Sequence, residues 1–428
     1  MGEVSGRDRT ARGTAARKQP ARLGGGFWRL WWANAINSVG DGAFNAAMPL
    51  LAVTVTEAPQ QVAFISAAGY LPWLLVSLPA GAIVDRYDRT TLMWRCQAVQ
   101  AVIVAAVAVV TVAGAVSVPV LAVAGFLLGC LQVVITNAAQ SVLPQLVPAG
   151  LLQRANSNQY VVQTVGESSL GPPLGSVLFT VAAALPFGVD AASFVLSAAL
   201  LATIPKSIAD HAARRSSVRA EVAEGLRWLG NHKLLRTLAV LLGVNTFCNR
   251  LGVATLVLYA TQTLHLSERA YGLMLVGEGA GSLLGGLVNV RIARRLGPLR
   301  ALAVALAANS AIYAGMGLVP DGAFLGVMLA LCGFVITVSS VVTVSLRQEV
   351  TPGALLGRVN SVFRMVGWGL MPLGAVAGGF VARYLGLRAP FLIAGGVRGA
   401  ALLLALPLLI AETHAMREGE SENARSLR

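Results

Sequence analysis

From residue 29 onward the chain alternates long apolar runs with short polar or proline-rich interruptions. A helix needs about 20 mostly apolar residues to cross the hydrocarbon core of a bilayer. Twelve runs meet that requirement and predict transmembrane helices over 29–54, 62–84, 92–114, 119–143, 156–180, 187–204, 237–261, 270–292, 299–319, 322–346, 360–382 and 389–411. The breaks between them carry helix-stopping residues, among them Glu57-Ala58-Pro59, Val118-Pro119, Pro186 and Pro320-Asp321-Gly322. Composition agrees: 56% of residues are hydrophobic and 12% charged, against about 25% charged in a soluble domain. The expected fold class is an all-α integral membrane protein of twelve transmembrane helices.

Basic residues set the orientation. With the N-terminus inside, twenty-eight of the 33 lysines and arginines fall in cytoplasmic segments and three (Arg269, Arg383, Arg388) outside. That asymmetry is a strong positive-inside signal and predicts both termini in the cytoplasm. Arg250 and Arg398 fall within spans. The net charge of +14 does not predict a nucleic-acid partner, because the basic residues form no single domain or patch. Residues 1–28 read as a basic cytoplasmic tail and show no cleavable signal peptide. The large excess of arginine over lysine suggests a GC-rich bacterial genome, and so a bacterial plasma (inner) membrane.

A shift of 204 residues superposes the chain on itself. It lands Pro148, Arg154, Asn156 and Ser157 on Pro352, Arg358, Asn360 and Ser361. It also lands Gly81 and Val84 on Gly285 and Val288, and Asp41 and Asn45 on Asn245 and Asn249. One constant shift across three regions predicts two parallel six-helix repeats, a design in which the transport site lies between the halves. The predicted organisation is a tail (1–28), a first bundle (29–204), a linker (205–236), a second bundle (237–411) and a cytoplasmic tail (412–428). In the linker, Val218, Val222, Leu226 and Leu229 share one helical face, as in an amphipathic helix on the membrane surface. A solvated linker helix would show the same pattern.

No enzyme constellation is present. The cysteines (Cys96, Cys130, Cys248, Cys332) sit singly in apolar runs without metal or redox spacing, and the four histidines fall in loops or the tail. No nucleotide, zinc-protease or nucleophile-elbow motif occurs in a supporting context. Neither cofactor nor metal is expected.

Gly81-Ala82-Ile83-Val84-Asp85-Arg86-Tyr87-Asp88-Arg89 resembles the G-x-x-x-D-R-x-x-R signature loop of the major facilitator superfamily. Gly171-Pro172-Pro173-Leu174-Gly175 resembles the G-P-x-x-G end of a motif of that superfamily's exporters, with Ser176 where many members carry a second glycine. Glu224 to Leu229, Leu234-Leu235-Arg236 and Gly40-Asp41-Gly42 are similar to the twelve-span branch of enterobactin and macrolide exporters. The resemblance covers residues 27–411. It implies a gating loop (Gly81, Asp85, Arg86, Arg89) in which Asp85 meets the N-terminal end of span eleven, expected at Asn360-Ser361. Arg86 and Arg89 would hold that loop to inner carboxylates and lipid phosphates. It also implies a helix-packing role for Gly171, Pro172 and Gly175.

Ionisable groups inside a membrane cost at least about 2.5–3.5 kcal/mol, so each needs a reason. Asn34, Asn37, Asp41 and Asn45 form a stripe at helical spacing in span one. Asn156, Gln159, Gln163 and Glu167 form another in span five, and Gln132, Thr136 and Gln140 a third in span four. Such stripes face protein or water. Asp41 and Glu167 are the candidate proton carriers, with Arg250, Glu278 and Arg398 completing the charged set. Structural ion pairs, Glu278 with Arg250 or Asp41 with Arg398, are the alternative. The resemblance puts spans one, four, seven and ten around the cavity, with Asn34, Asn37, Asn45, Gln132, Gln140, Gln163, Asn245 and Asn249 as lining candidates. The expected function is export of a small amphiphilic molecule (a drug, antibiotic or siderophore) by a monomer exchanging substrate for protons. A solute importer of the same fold, or a membrane sensor or scaffold, remains open.

Overall fold

The computed structural model describes residues 23–76, 80, 83, 84, 86–148, 151–205 and 226–426. Its helices follow the predicted runs: α1 Gly25–Val55, α2 Pro59–Leu75, α3 Arg89–Val112, α4 Val118–Leu146, α5 Leu152–Thr164 continued by Gly171–Val181, and α6 Leu185–Ala202. The second set is α7 Lys233–Val253 continued by Leu256–Leu258, α8 Glu268–Leu296, α9 Pro298–Gly317, α10 Gly322–Val350, α11 Gly353–Gly369 continued by Met371–Leu385, and α12 Ala389–Ser426. Among the described residues, eight helices are each long and apolar enough to cross a membrane, and the two parts of α7, bent by 41°, make nine. The runs that fall short, α1, α2 and α5, carry the polar stripes (α1, α5) or continue into residues outside the description (α2).

Two boundaries differ from expectation. α12 runs on through Ser426, because the stretch after residue 411 is rich in Ala, Glu, Met and Arg, strong helix formers. α11 begins at Gly353 behind Pro352, not at Asn360-Ser361. Nothing in 353–359 stops a helix, and a proline just before the first turn is compatible with one. Asn360 therefore lies inside α11, and the exposed end of the helix dipole is seven residues earlier.

Packing repeats between the halves. α1 packs on α5 and α6, α2 on α4, and α3 on α4 and α6; α7 packs on α11 and α12, α8 on α10, and α9 on α10 and α12. The halves meet where α2 faces α11 and where α5 faces α8. At the arginine-rich end each half has its own core, one around Phe27, Trp73, Ala138 and Leu201, the other around Leu235, Leu302, Val359 and Phe363. At the opposite end a single core crosses both halves, joining Leu51, Val104 and Phe187 to Leu258, Tyr259 and Leu325. Outward-facing apolar residues such as Leu404, Val112 and Leu287 are 85, 80 and 73% exposed, as lipid-facing side chains must be.

α5 changes its winding where α1 approaches it closely. Pro172 and Pro173 have no N–H for the carbonyls of Ser168 and Ser169, and the preceding turn, Val165–Leu170, widens to a π-helix. A Cβ on Gly171 would stand 2.5 Å from the Gly42 Cα, and one on Gly175 would stand 2.7 Å from the Ala43 Cα. Such distances leave room for hydrogen only. Gly175→Val should lower the stability of the purified protein by about 1–3 kcal/mol through overpacking. An unchanged melting temperature would show that α1 and α5 are not packed this closely.

Candidate functional site

The first half gathers its polar stripes into one cluster. Asn37 Nδ2 donates to Asp41 Oδ2 at 2.7 Å within α1, and Gln163 Nε2 donates to Glu167 Oε1 at 3.0 Å within α5. Asn34 Nδ2 joins the helices by donating to Gln159 Oε1 at 2.8 Å. The π-turn of α5 carries Glu167 beside α1, and the charges of Glu167 and Asp190 both act on Asp41. Asp190, in α6, is 1% exposed, and its Oδ1 accepts a hydrogen bond from Ser193 Oγ at 3.3 Å. Sequence reasoning missed Asp190, although an acid in an apolar run of 18 residues is itself the signal. Among the described residues, no arginine or lysine is among the charges acting on Asp41. Asn37 is 7% exposed and its Oδ1 has no partner.

Arg398 does not pair with Asp41. It lies 2% exposed in the second half, where Nη1 donates to Asn309 Oδ1 at 2.7 Å and Nη2 to the Asn245 carbonyl at 2.8 Å. Its guanidinium carbon sits 3.7 Å from the centre of the Tyr313 ring, and the Tyr313 hydroxyl accepts from Asn249 Nδ2 at 2.9 Å. The arginine is held by neutral acceptors and an aromatic face, which is cheaper than an unpaired buried cation. Arg250 crosses the interface between the halves, 4.2 Å above the Tyr70 ring of α2, and its charge acts on Glu278.

A cavity of about 670 Å³ opens inside the second half, lined by α7 to α12. Of the predicted site residues it takes Asn245, Asn249, Glu278 and Arg398. α7 and α10 line it as expected; α1 and α4 do not, because α1 is packed against α5 and α6. Asp41, Glu167, Arg250, Asn34, Asn37, Asn45, Gln132 and Gln163 lie outside it. Gln132 turns toward α3, where its Oε1 accepts from Gln100 Nε2 at 3.2 Å. Gln140 reaches across the halves and accepts from Arg364 Nη1 at 3.1 Å. Close by, the Trp73 and Trp368 rings stack with centroids 3.8 Å apart.

Two polar stripes of this cavity were not predicted. Ser339, Thr343 and Arg347 follow one another at four-residue spacing on α10, and Asn360, Arg364 and Trp368 do so on α11. Both arginines count toward the positive-inside pattern, which hid their second setting. Of the signature loop, Gly81 and Asp85 lie outside the described residues, as do Val218 and Val222 of the linker. Arg86 is exposed. Arg89 donates to the Ser141 carbonyl of α4 at 3.5 Å. Asp88 caps α3 by accepting from the Thr91 N–H at 2.7 Å.

Two six-helix sets with matching packing, charged groups at mid-span and a polar cavity define a major facilitator-type transporter. The profile of the transmembrane secretion effector family matches residues 21–428, and the chain belongs to that family. It is 28% identical over 381 residues to the multidrug efflux pump Tap of Mycolicibacterium fortuitum, covering 87% of this chain and 90% of that one. It is 23% identical to the enterobactin exporter EntS of Citrobacter koseri, covering 79% and 80%. Among solved structures it resembles the nucleoside transporter NupG (TM-score 0.68, 11% identity, 90% of this chain and 99% of that one). It also resembles a bacterial homologue of the iron transporter ferroportin in an inward-facing state (TM-score 0.68, 18% identity, 88% and 98%).

Proposed function

We propose that the protein is a monomeric secondary exporter of the bacterial plasma membrane, both termini cytoplasmic, which releases a small amphiphilic molecule in exchange for protons. The observation that carries this reading is the group of three acids in the first half, Asp190 buried and Asp41 and Glu167 half-buried, with no cation of the described residues among the charges acting on Asp41. Carboxylates in such surroundings hold and release protons as access to water changes. The relatives named as efflux pumps and exporters support the outward direction. Separate cores at the arginine-rich end and one shared core at the other support rocking of the halves about the shared end, with the arginine-rich end cytoplasmic. The division into bundles 29–204 and 237–411, joined by 205–236, follows from that motion.

The test is accumulation of cationic dyes, macrolides and catechol siderophores in an efflux-deficient bacterial host, with and without a protonophore. Lower accumulation than in cells with empty vector, abolished by the protonophore, is the expected result. Higher accumulation would make the protein an importer. Equal accumulation of every compound, with the protein verified in the membrane, would remove the transport reading.

A further inference from the structure

We propose that the substrate carries an anionic group, a carboxylate, sulfonate or phosphate, which binds between Arg347 and Arg364 in the cavity of the second half. The inference rests on the exporter reading and names the substrate class of its site. Four charged residues line this cavity: Glu278, Arg347, Arg364 and Arg398. Glu278 feels the cation Arg250, and Arg398 is held by Asn309 and the Asn245 carbonyl. Arg347 and Arg364 remain without an acid among the described residues. They are close enough for the Arg364 charge to act on Arg347, a repulsion that an apolar setting strengthens.

Their setting separates them from the exposed arginines of that end. Arg154, Arg291, Arg294, Arg295 and Arg300 are exposed, as positive-inside residues need only be. Arg347 and Arg364 are half-buried and face the cavity. Arg347 lies 4.6 Å above the Phe363 ring, and its Nε is buried with no partner among the described residues. Glu349, two residues on, falls on the opposite side of α10. Arg364 spends one N–H on Gln140, and a guanidinium has four more. Two guanidiniums lining one cavity offer paired N–H donors to a planar or tetrahedral anion. Ser340 offers a hydroxyl deeper in, the Ser339 and Thr343 hydroxyls being spent on the Val335 and Ser339 carbonyls, while Leu238, Ile336 and Met371 give the apolar remainder its wall. A substrate anion would relieve the repulsion between the arginines, so binding is coupled to the place where α10 and α11 meet and where α11 touches the first half through Gln140 and Trp73.

The experiment uses the full chain with two readouts, equilibrium binding to the purified protein and uptake into proteoliposomes of zwitterionic lipid. The probes are carboxyfluorescein, its neutral amide and the cation ethidium. Carboxyfluorescein should bind best. Arg347→Gln and Arg364→Gln should each weaken it about ten- to hundredfold, and Arg364→Lys, which keeps the charge but not the fork, should restore part of the loss. Unchanged elution on size exclusion shows that the variants fold. Displacement by phosphatidylglycerol would identify a lipid headgroup as the source of the anion, and displacement by free organic anions alone would identify a soluble substrate. Equal or tighter binding of ethidium, or carboxyfluorescein binding indifferent to both Gln variants, would overturn the proposal. Arginine-dependent binding without uptake would keep the anion site and refute export. Uptake of ethidium alone would keep export and refute the anion site.

Discussion

Asp41→Asn is expected to reduce protonophore-sensitive efflux to the level of cells carrying empty vector, with the protein still abundant in the membrane. Asparagine matches aspartate in size and can still meet the Asn37 amide, which donates to Asp41 Oδ2 at 2.7 Å. The fold should therefore survive. What disappears is a group that can exchange a proton. Asp41 stands among acids, with Asp190 and Glu167 both acting on it, so the three groups hold and release protons as a coupled set. Asparagine resembles the protonated form permanently and should leave the exchange stalled in one state. Asp190→Asn should act in the same direction, since removing one acid changes how readily the others hold protons. Efflux by Asp41→Asn equal to wild type would take Asp41 out of the coupling step. The same assay with Glu167→Gln would then show which acid of the cluster carries it.

Arg398→Met should be the most destabilising single change in the second half. Methionine fills much of the volume but supplies no donor, so Asn309 Oδ1 and the Asn245 carbonyl lose partners at 2.7 and 2.8 Å. Asn309 Oδ1 left unpaired costs about 1–3 kcal/mol, while the Asn245 carbonyl, inside α7, keeps the N–H of its own helix. The stacking of the guanidinium on Tyr313 at 3.7 Å adds about 2 kcal/mol when desolvated. Against this stands the relief of no longer burying a cation whose Nε has no partner among the described residues, a relief that the two acceptors and the aromatic face already reduce. The balance is a loss. It should appear as a lower melting temperature in detergent and less protein in the membrane. Arg398→Lys should recover only part, because an ammonium cannot span both acceptors in the planar geometry of a guanidinium. A variant as stable as wild type would mean that α7, α9 and α12 are not held together through this side chain.

The sequence was most informative where one-dimensional pattern maps onto one-dimensional structure. Runs of apolar residues of fixed length predicted the helices, and the 204-residue repeat predicted the matched packing of the two sets. Both depend on local propensity and spacing, which do not need a neighbour to be defined. Single polar stripes were also legible, because residues four apart share a helix face whatever that face meets. The partners of the stripes were not legible. Gln132 looked as eligible for the cavity as Gln140, yet one bonds to Gln100 inside its own half and the other to Arg364 across the halves.

Length, apolarity, repeat and the distribution of arginine along the chain were therefore determined by the sequence alone. They follow from the cost of exposing peptide groups and charges to lipid, which every span must meet by itself. Tertiary structure decided which charges share a site. It set Asp190 beside Asp41, carried Arg398 to Asn309 instead of an acid, and turned two arginines of the positive-inside pattern into the wall of a cavity. Those outcomes depend on which helix faces meet, and that is settled by the close approach of Gly42 to Gly171 and of α2 to α11, contacts between residues far apart in the chain.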